Sequence, residues 1–277
     1  MIDNTALSAA LSSLDSLAGL EGAKEQARQI VGLKRVLDKR AEAGLPTFPF
    51  QQKNMLFLGN PGTGKSLFAR HLGEIYRALG VLSKGHVIEC DRSQLVAGYI
   101  GQTPPKTQQM IEKARGGILF IDNADILNRG GNNRDFGVEA LDTILRAISE
   151  PDVDLAVVLA GYDEPMADFL NANPSVSTKF PLRFHFDDLT ADTLYDIFMK
   201  HLEKYRVAIT DEAREAVRAY FEDLVKSEDR WGNARVARNC FEEAFSSYMK
   251  RIADRLQTED VKDLPIELCD IPKINKS

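Results

Sequence analysis

The run Gly59, Asn60, Pro61, Gly62, Thr63, Gly64, Lys65, Ser66 carries the most specific chemistry in the chain. It fits G-x-x-x-x-G-K-[ST], in which glycines let the backbone turn tightly enough for its N–H groups to face phosphate oxygens. Lys65 supplies a cation for the β- and γ-phosphates, and the Ser66 hydroxyl is a hard oxygen ligand for Mg2+. A helix opening near Lys65 adds the positive end of its dipole. A second element, residues 116–125, is an apolar run that ends in Asp122, a carboxylate able to hold magnesium directly or through water. An Asp after an apolar run is a weak signal alone. Its position downstream of the glycine-rich loop makes the pair specific for a magnesium-bound nucleoside triphosphate.

These residues need a scaffold. Apolar runs at 54–58, 86–90, 117–122, 155–161 and 182–186 read as strands. Helical periodicity at 21–43, 65–79, 107–114, 136–148 and 163–170 separates them. Strands alternating with helices predict an α/β fold, a five-stranded parallel sheet with right-handed crossovers. Beyond Asp187 the pattern is helical only, at 190–205, 211–225 and 233–256, with Thr190 and Thr210 as N-caps. The expected organisation is an N-terminal arm over 1–20, either a short helix or loose, a nucleotide-binding domain over 21–188, a helical lid over 189–257 and a partly loose tail over 258–277.

The chain has 277 residues, 44% hydrophobic and 27% charged, with a formal charge of −6. That suits one α/β domain with a smaller helical one. The acidic balance argues against nucleic acid as the main partner, because backbone phosphates reward a basic face. Cys90, Cys240 and Cys269 are odd in number and far apart, which offers neither a disulfide framework nor a zinc pattern. No apolar run approaches the roughly 20 residues that cross a bilayer, and residues 1–17 lack the flanks of a secretory or transit peptide. A cytoplasmic protein, or one made inside the organelle where it works, with no membrane partner is the expectation.

Several segments together resemble the AAA+ ATPases of the red-type Rubisco activase (CbxX/CfqX) family, whose relatives include sporulation stage V protein K and the ATPases of ESX secretion. They are DSLAGLEGAKEQ (15–26), GNPGTGKS (59–66), AGYIGQTPPKT (97–107), GGILFID (116–122), FGVEALDTIL (136–145), VVLAGYDEPM (157–166) and WGNARVARN (231–239). The resemblance covers about residues 15–256. It implies a three-layer AAA+ domain followed by a small helical lid, assembled as a hexamer of one or two chain types around a protein client. By position it implies that Leu17, Gly19 and Leu20 pack near the adenine and that Tyr99, with Ile100 and Gly101, grips a polypeptide in the ring's pore. Arg235 takes the place of the sensor arginine that reaches from the lid to the phosphates. Arg129 and Arg134 fall in a second pore loop, as channel-facing or merely solvated charges. Gly161, Tyr162 and Asp163 share the place of the sensor after the fourth strand.

Two positions depart from the family's pattern. Asn123 stands where a Glu normally follows the magnesium Asp; an amide orients water but takes no proton from it. Asp125 lies two residues on. Lys179, in NPSVSTK (173–179), stands where the arginine finger is expected; it keeps the charge but lacks the planar fork, and Arg183 lies close by in sequence. The binding residues are present while both changes fall on residues that speed bond cleavage. The expectation is an ATP-binding ring subunit that remodels a client with weak hydrolysis. The alternative is a non-motor subunit that co-assembles with an active sibling. A small-molecule P-loop kinase is the weaker third reading, since nothing reads as a substrate lid. A red-type activase also implies a response to sugar bisphosphate, with no site legible here, and Rubisco, a secretion component or a sporulation component as client.

Overall fold

The strand β1 (Met55–Gly59) is buried along its whole length, as an apolar run is when helices cover both faces of a sheet. In the computed structural model it pairs in parallel with β4 (Ala156–Gly161) on one side and β5 (Leu182–Phe186) on the other. β3 (Ile118–Ile121) lies beyond β4 and β2 (Val87–Cys90) beyond β3, giving the order β2-β3-β4-β1-β5. Every pairing is parallel, so all five strands end at one edge of the sheet. The five-stranded parallel α/β reading holds, with four of the strands shifted or trimmed by one residue. The structure describes residues 2–127, 136–150, 152–227, 232–253 and 264–272. Arg129, Arg134, Trp231 and the end of the last expected helix lie outside them.

Helices cover both faces. On one, α1 (Asn4–Asp15), α2 (Glu21–Glu42) and α3 (Lys65–Ala78) share a core with Phe57, Phe120 and Phe184. The Phe57 ring stands 4.9–6.2 Å from those of Phe186, Phe184, Phe68 and Phe120, within the range of favourable aromatic pairs. On the other face, α5 (Thr103–Ala114), α6 (Gly137–Ala147) and α7 (Asp163–Ala172) bury Ile111, Ile144 and Phe169 against Leu56, Leu119 and Val157. The three layers expected of this fold are therefore present.

Four expectations need correction. The first 20 residues are not a separate arm: Leu7 and Leu14 of α1 are fully buried against α3, and Asp3 N–H donates to the Ala78 carbonyl at 2.8 Å. α5 begins at Thr103, four residues early, because Pro104 and Pro105 occupy its first turn, where no intrahelical N–H is needed. Two short helices, α4 (Arg92–Leu95) and α8 (Pro174–Lys179), escape the periodicity argument by their length. The boundary also moves. The chain divides into two compact units, residues 1–59 with 64–186, and residues 60–63 with 187–277. Four residues of the phosphate loop thus belong with the second unit.

That second unit is built on α9 (Ala191–Tyr205), α10 (Asp211–Lys226) and α11 (Ala234–Ala253). Thr190 and Thr210 cap α9 and α10 through hydrogen bonds from Thr193 and Ala213 N–H. Phe198, Phe221 and Phe241 fill its core. Residues 264–272, within the partly loose tail that was expected, are packed. Ile266 forms a parallel bridge with Ile209 and is fully buried, and Arg251 holds the buried Asp270 at 2.8 Å.

Candidate functional site

The phosphate loop joins β1 to α3, and its glycines are required by space as well as by backbone angle. Gly59 has φ 142°, and a Cβ there would lie 2.2 Å from the Phe186 carbonyl oxygen. Lys65 opens α3, and its Nζ donates to the Gly59 carbonyl at 2.8 Å, so the ammonium lies folded back over the loop. Ser66 follows it, half-buried. Gly19 and Leu20, the residues expected near the adenine, both have left-handed backbone angles, 68° and 65°. The fold brings Leu20 to the loop: its Cδ1 lies 3.3 Å from where a Gly64 Cβ would stand. The turn before α2 is held by Lys24, which is 3% exposed and donates to the Leu17 carbonyl at 2.8 Å and to Glu21 at 2.7 Å. Nothing in the sequence marks that lysine as buried.

Within the second unit, the middle of the loop is bonded on several sides. Gly62 has φ 74°, and a Cβ there would fall 2.0 Å from the Gly232 carbonyl oxygen. The Gly62 carbonyl accepts from Ala234 N–H at 3.0 Å. Asn60 donates to both carboxylate oxygens of Asp188, at 2.9 and 3.0 Å. Thr63, 1% exposed, donates to the Asn60 carbonyl at 2.8 Å. Pro61 accepts from the Asn233 amide at 3.1 Å. Arg235 sits in the first turn of α11, exposed, two residues beyond Asn233. The unit therefore carries Arg235 on the helix whose start is bonded to Asn60–Thr63.

Asp122 follows β3, and its N–H donates to the Cys90 carbonyl at 2.8 Å. The register places it one strand, β4, away from the loop: Ile121 pairs with Leu159, and Gly161 with Leu58. Two strand spacings are about 10 Å, a span that a hydrated divalent ion with phosphate oxygens fills. The two oxygen donors, a serine hydroxyl and a carboxylate, are of the kind that magnesium takes. Asn123 has φ 49°, a left-handed conformation that Asn tolerates better than most residues, and its N–H donates to Asp122 Oδ1 at 3.1 Å. Asp125 turns toward the end of β4, its Oδ1 3.1 Å from where a Gly161 Cβ would be. The glycine at 161 leaves room for that carboxylate and for Met166.

The loop between α4 and α5 has a fixed base and a bare tip. At the base, Lys106 Nζ donates to the Ser93 and Val96 carbonyls at 2.7 and 2.9 Å. Thr107 Oγ1 donates to the Leu95 carbonyl at 3.0 Å, and Thr103 Oγ1 accepts from Ala97 N–H at 3.1 Å. At the tip, Tyr99 is 75% and Ile100 87% exposed, and nothing lies within 4 Å of a Cβ built on Gly98 or Gly101. Arg92, which sequence reasoning did not single out, ties this base to the turn after Asp122 by donating to the Ile126 and Leu127 carbonyls at 2.8 and 2.7 Å. Asp91 caps α4 with its carboxyl below the usual range, chiefly because the Ser93 hydroxyl donates to it.

Lys179 is the last residue of α8, exposed, and makes no ion pair among the described residues. Arg183 is exposed on β5, 3.5 Å from Ser177 Oγ. Two positions on, His185 meets Asp163 at 3.4 Å. This contact between β5 and the start of α7 has no sequence signal, since 22 positions separate its members. Three exposed basic side chains, Lys179, Arg183 and His185, thus lie on or just before one edge strand. No cluster of three metal-ligating side chains occurs among the described residues.

Comparison with known proteins gives consistent results. Residues 55–187 match the model for the ATPase family associated with various cellular activities (AAA), and residues 190–277 match that for the AAA lid domain. The chain is 36% identical to stage V sporulation protein K of Bacillus subtilis (strain 168), over 86% of this chain and 74% of that protein. It is 37% identical to a chloroplastic ribulose bisphosphate carboxylase/oxygenase activase of Cyanidioschyzon merolae, over 90% and 84%. The CbbX protein of Cereibacter sphaeroides is 36% identical over 84% and 75%. Among solved structures, the AAA domain of FIGL-1 in complex with ADP superposes with a TM-score of 0.62 at 24% identity, over 92% of this chain and 80% of that one. That likeness bears on the fold alone.

Proposed function

Because the chain belongs to the AAA ATPases, in the group that holds the red-type Rubisco activases and stage V sporulation protein K, we propose that it binds MgATP and works in a ring that remodels a protein client. The observation that carries the client reading is the 96–102 loop, an apolar tip with Tyr99 and Ile100 exposed on a base fixed by Thr103, Lys106 and Thr107. An aromatic with a polar end grips extended chain without sequence preference. In this reading Gly59–Ser66 cradle the phosphates, Lys65 meets their charge and Leu20 packs beside the loop. Ser66 and Asp122 hold the metal, which when bound neutralises phosphate charge. Gly19 shapes the turn behind Leu20, and Arg235 reports on the nucleotide from the lid.

Hydrolysis in this reading is slow. Asn123 orients water but cannot take its proton, and general-base assistance is worth roughly 10²–10⁴ in rate. Lys179 offers one charge where a planar fork does better. The test is phosphate release by the purified chain, with size measured by light scattering with and without MgATP. The wild type should assemble and turn over slowly, Lys65→Ala should not turn over, and Asn123→Glu should raise the rate at least about tenfold. Fast turnover by the wild type would remove the slow-site reading. A chain that assembles with MgATP yet stays silent after Asn123→Glu would replace the motor with the non-motor subunit. Hexameric assembly and a cytoplasmic location belong to the same proposal. No helix among the described residues is long and apolar enough to cross a membrane.

A further inference from the structure

One side chain joins three segments that are far apart in sequence. Asn233 is 5% exposed and has a left-handed backbone, φ 46°. Its Oδ1 accepts from Leu189 N–H at 2.8 Å, and its Nδ2 donates to the Pro61 carbonyl at 3.1 Å and to Asp188 Oδ1 at 2.9 Å. Asp188 in turn takes both hydrogen bonds from the Asn60 amide. The neighbours of Asn233 reinforce the link: Ala234 N–H donates to the Gly62 carbonyl, and the Gly232 carbonyl closes over Gly62. The middle of the phosphate loop, the connection at 188–189 and the start of α11 are therefore one bonded body.

We propose that Asn233 and Asp188 are a positioning pair that passes the state of the phosphate loop to the first turn of α11, and so to Arg235. The inference rests on the nucleotide reading above and adds to it the route of transmission. The geometry supports it because hydrogen bonds weaken steeply outside their narrow range of length and angle. Backbone at 60–62 that shifts by even about 1 Å to meet phosphate must either break these bonds or carry 232–235 with it. Breaking them would strand polar groups on a side chain shut away from water. Arg235 lies two residues beyond Asn233, in the first turn of α11. A pair that only stiffened the fold would have no need to bond the loop, the connection and the helix through one amide.

The exchange of the two side chains gives a test specific to the pair. Asn233→Asp keeps an acceptor for Leu189 and tolerates the left-handed backbone, but sets two carboxylates against each other. Adding Asp188→Asn returns a donor, now from the other side, while the Pro61 bond stays absent in both variants. MgADP is the probe. Its affinity is read by calorimetry, and the response of α11 by hydrogen exchange at 232–233 and, as a second signal, at 234–236. In the wild type both signals should move on binding. In Asn233→Asp at least three-quarters of each response should be lost, and the double variant should recover at least half. If Asn233→Asp fails to fold, Asp188→Asn carries the test: one acceptor then serves two amides, and at least half of each response should go. Full responses in the single variant, no recovery in the exchange, or a wild type that binds MgADP with neither signal moving would overturn the joint. No uptake of MgADP by the wild type would instead overturn the nucleotide reading, and the joint with it.

Discussion

The loop after β1 and the loop between α4 and α5 both carry the glycines that draw attention in the sequence, yet they are built in opposite ways. In the first, a Cβ on Gly62 would fall 2.0 Å from the Gly232 oxygen. In the second, a Cβ on Gly98 would meet nothing within 4 Å. Glycine in the phosphate loop makes room, and the loop is held by its surroundings. Glycine in the 96–102 loop leaves the tip unconfined, and the order lies below it, in Thr103, Lys106 and Thr107. A ligand with fixed phosphate geometry suits the first arrangement. A polypeptide of varied sequence suits the second.

Gly62→Ala attacks that contrast with the largest expected effect. The substitution combines a left-handed backbone, costing about 1–2 kcal/mol, with overpacking against a backbone oxygen, costing about 1–3 kcal/mol. Denaturant unfolding should show a loss of about 2–5 kcal/mol, or loss of the separate folding of the second unit. A loss under about 1 kcal/mol would show that the loop is freer than its contacts suggest.

Much of this was legible beforehand, and the reasons are physical. Apolar runs that end in glycine or aspartate announce buried parallel strands, so β1 to β5 were found within a residue of their bounds. Thr190 and Thr210 announce helix starts because their hydroxyls satisfy N–H groups that would otherwise be unpaired. The motif 59–66 announced a tight glycine turn between a strand and a helix, and the chain turns there between β1 and α3. What stayed hidden depends on distance along the chain. Asn233 and Pro61 are 172 positions apart, and Arg92 reaches carbonyls 34 and 35 positions away. The packing of α1 stayed hidden because Leu7, Ala10 and Leu14 sit among serines and alanines that suit a short helix or a loose arm equally well. Asn123 was read as a loss of chemistry. Its left-handed backbone adds a local reason for Asn that no sequence pattern reveals.

Thr107→Val sharpens the comparison at the base of the second loop. The replacement keeps the shape and removes the hydrogen bond to the Leu95 carbonyl, leaving a buried acceptor unsatisfied at a cost of about 1–2 kcal/mol. Thermal unfolding should register that loss, and hydrogen exchange should quicken at 95–98 with no change at 59–66. Equal quickening in both loops would mean that they are not independent.

The smallest expected effect on stability belongs to the tip. Tyr99→Ala removes a side chain that is 75% exposed and Gly98→Ala adds one where nothing lies within 4 Å, so each should move the unfolding free energy by no more than about 0.5 kcal/mol. Gly98→Ala, whose backbone angle suits an ordinary residue, should lie on the stabilising side because alanine restricts the unfolded chain. The two variants differ in what they do to a gripping loop. Tyr99→Ala deletes the apolar area that would hold a client while leaving MgADP affinity as it was. Gly98→Ala keeps the ring and only stiffens its mount. If gripping is the tip's role, the first variant loses remodelling altogether and the second loses part of it, with phosphate release by the isolated chain unchanged in both. A Tyr99→Ala protein destabilised by 2 kcal/mol or more, on the scale of a lost core contact, would show instead that the tyrosine is packed in solution and serves the fold.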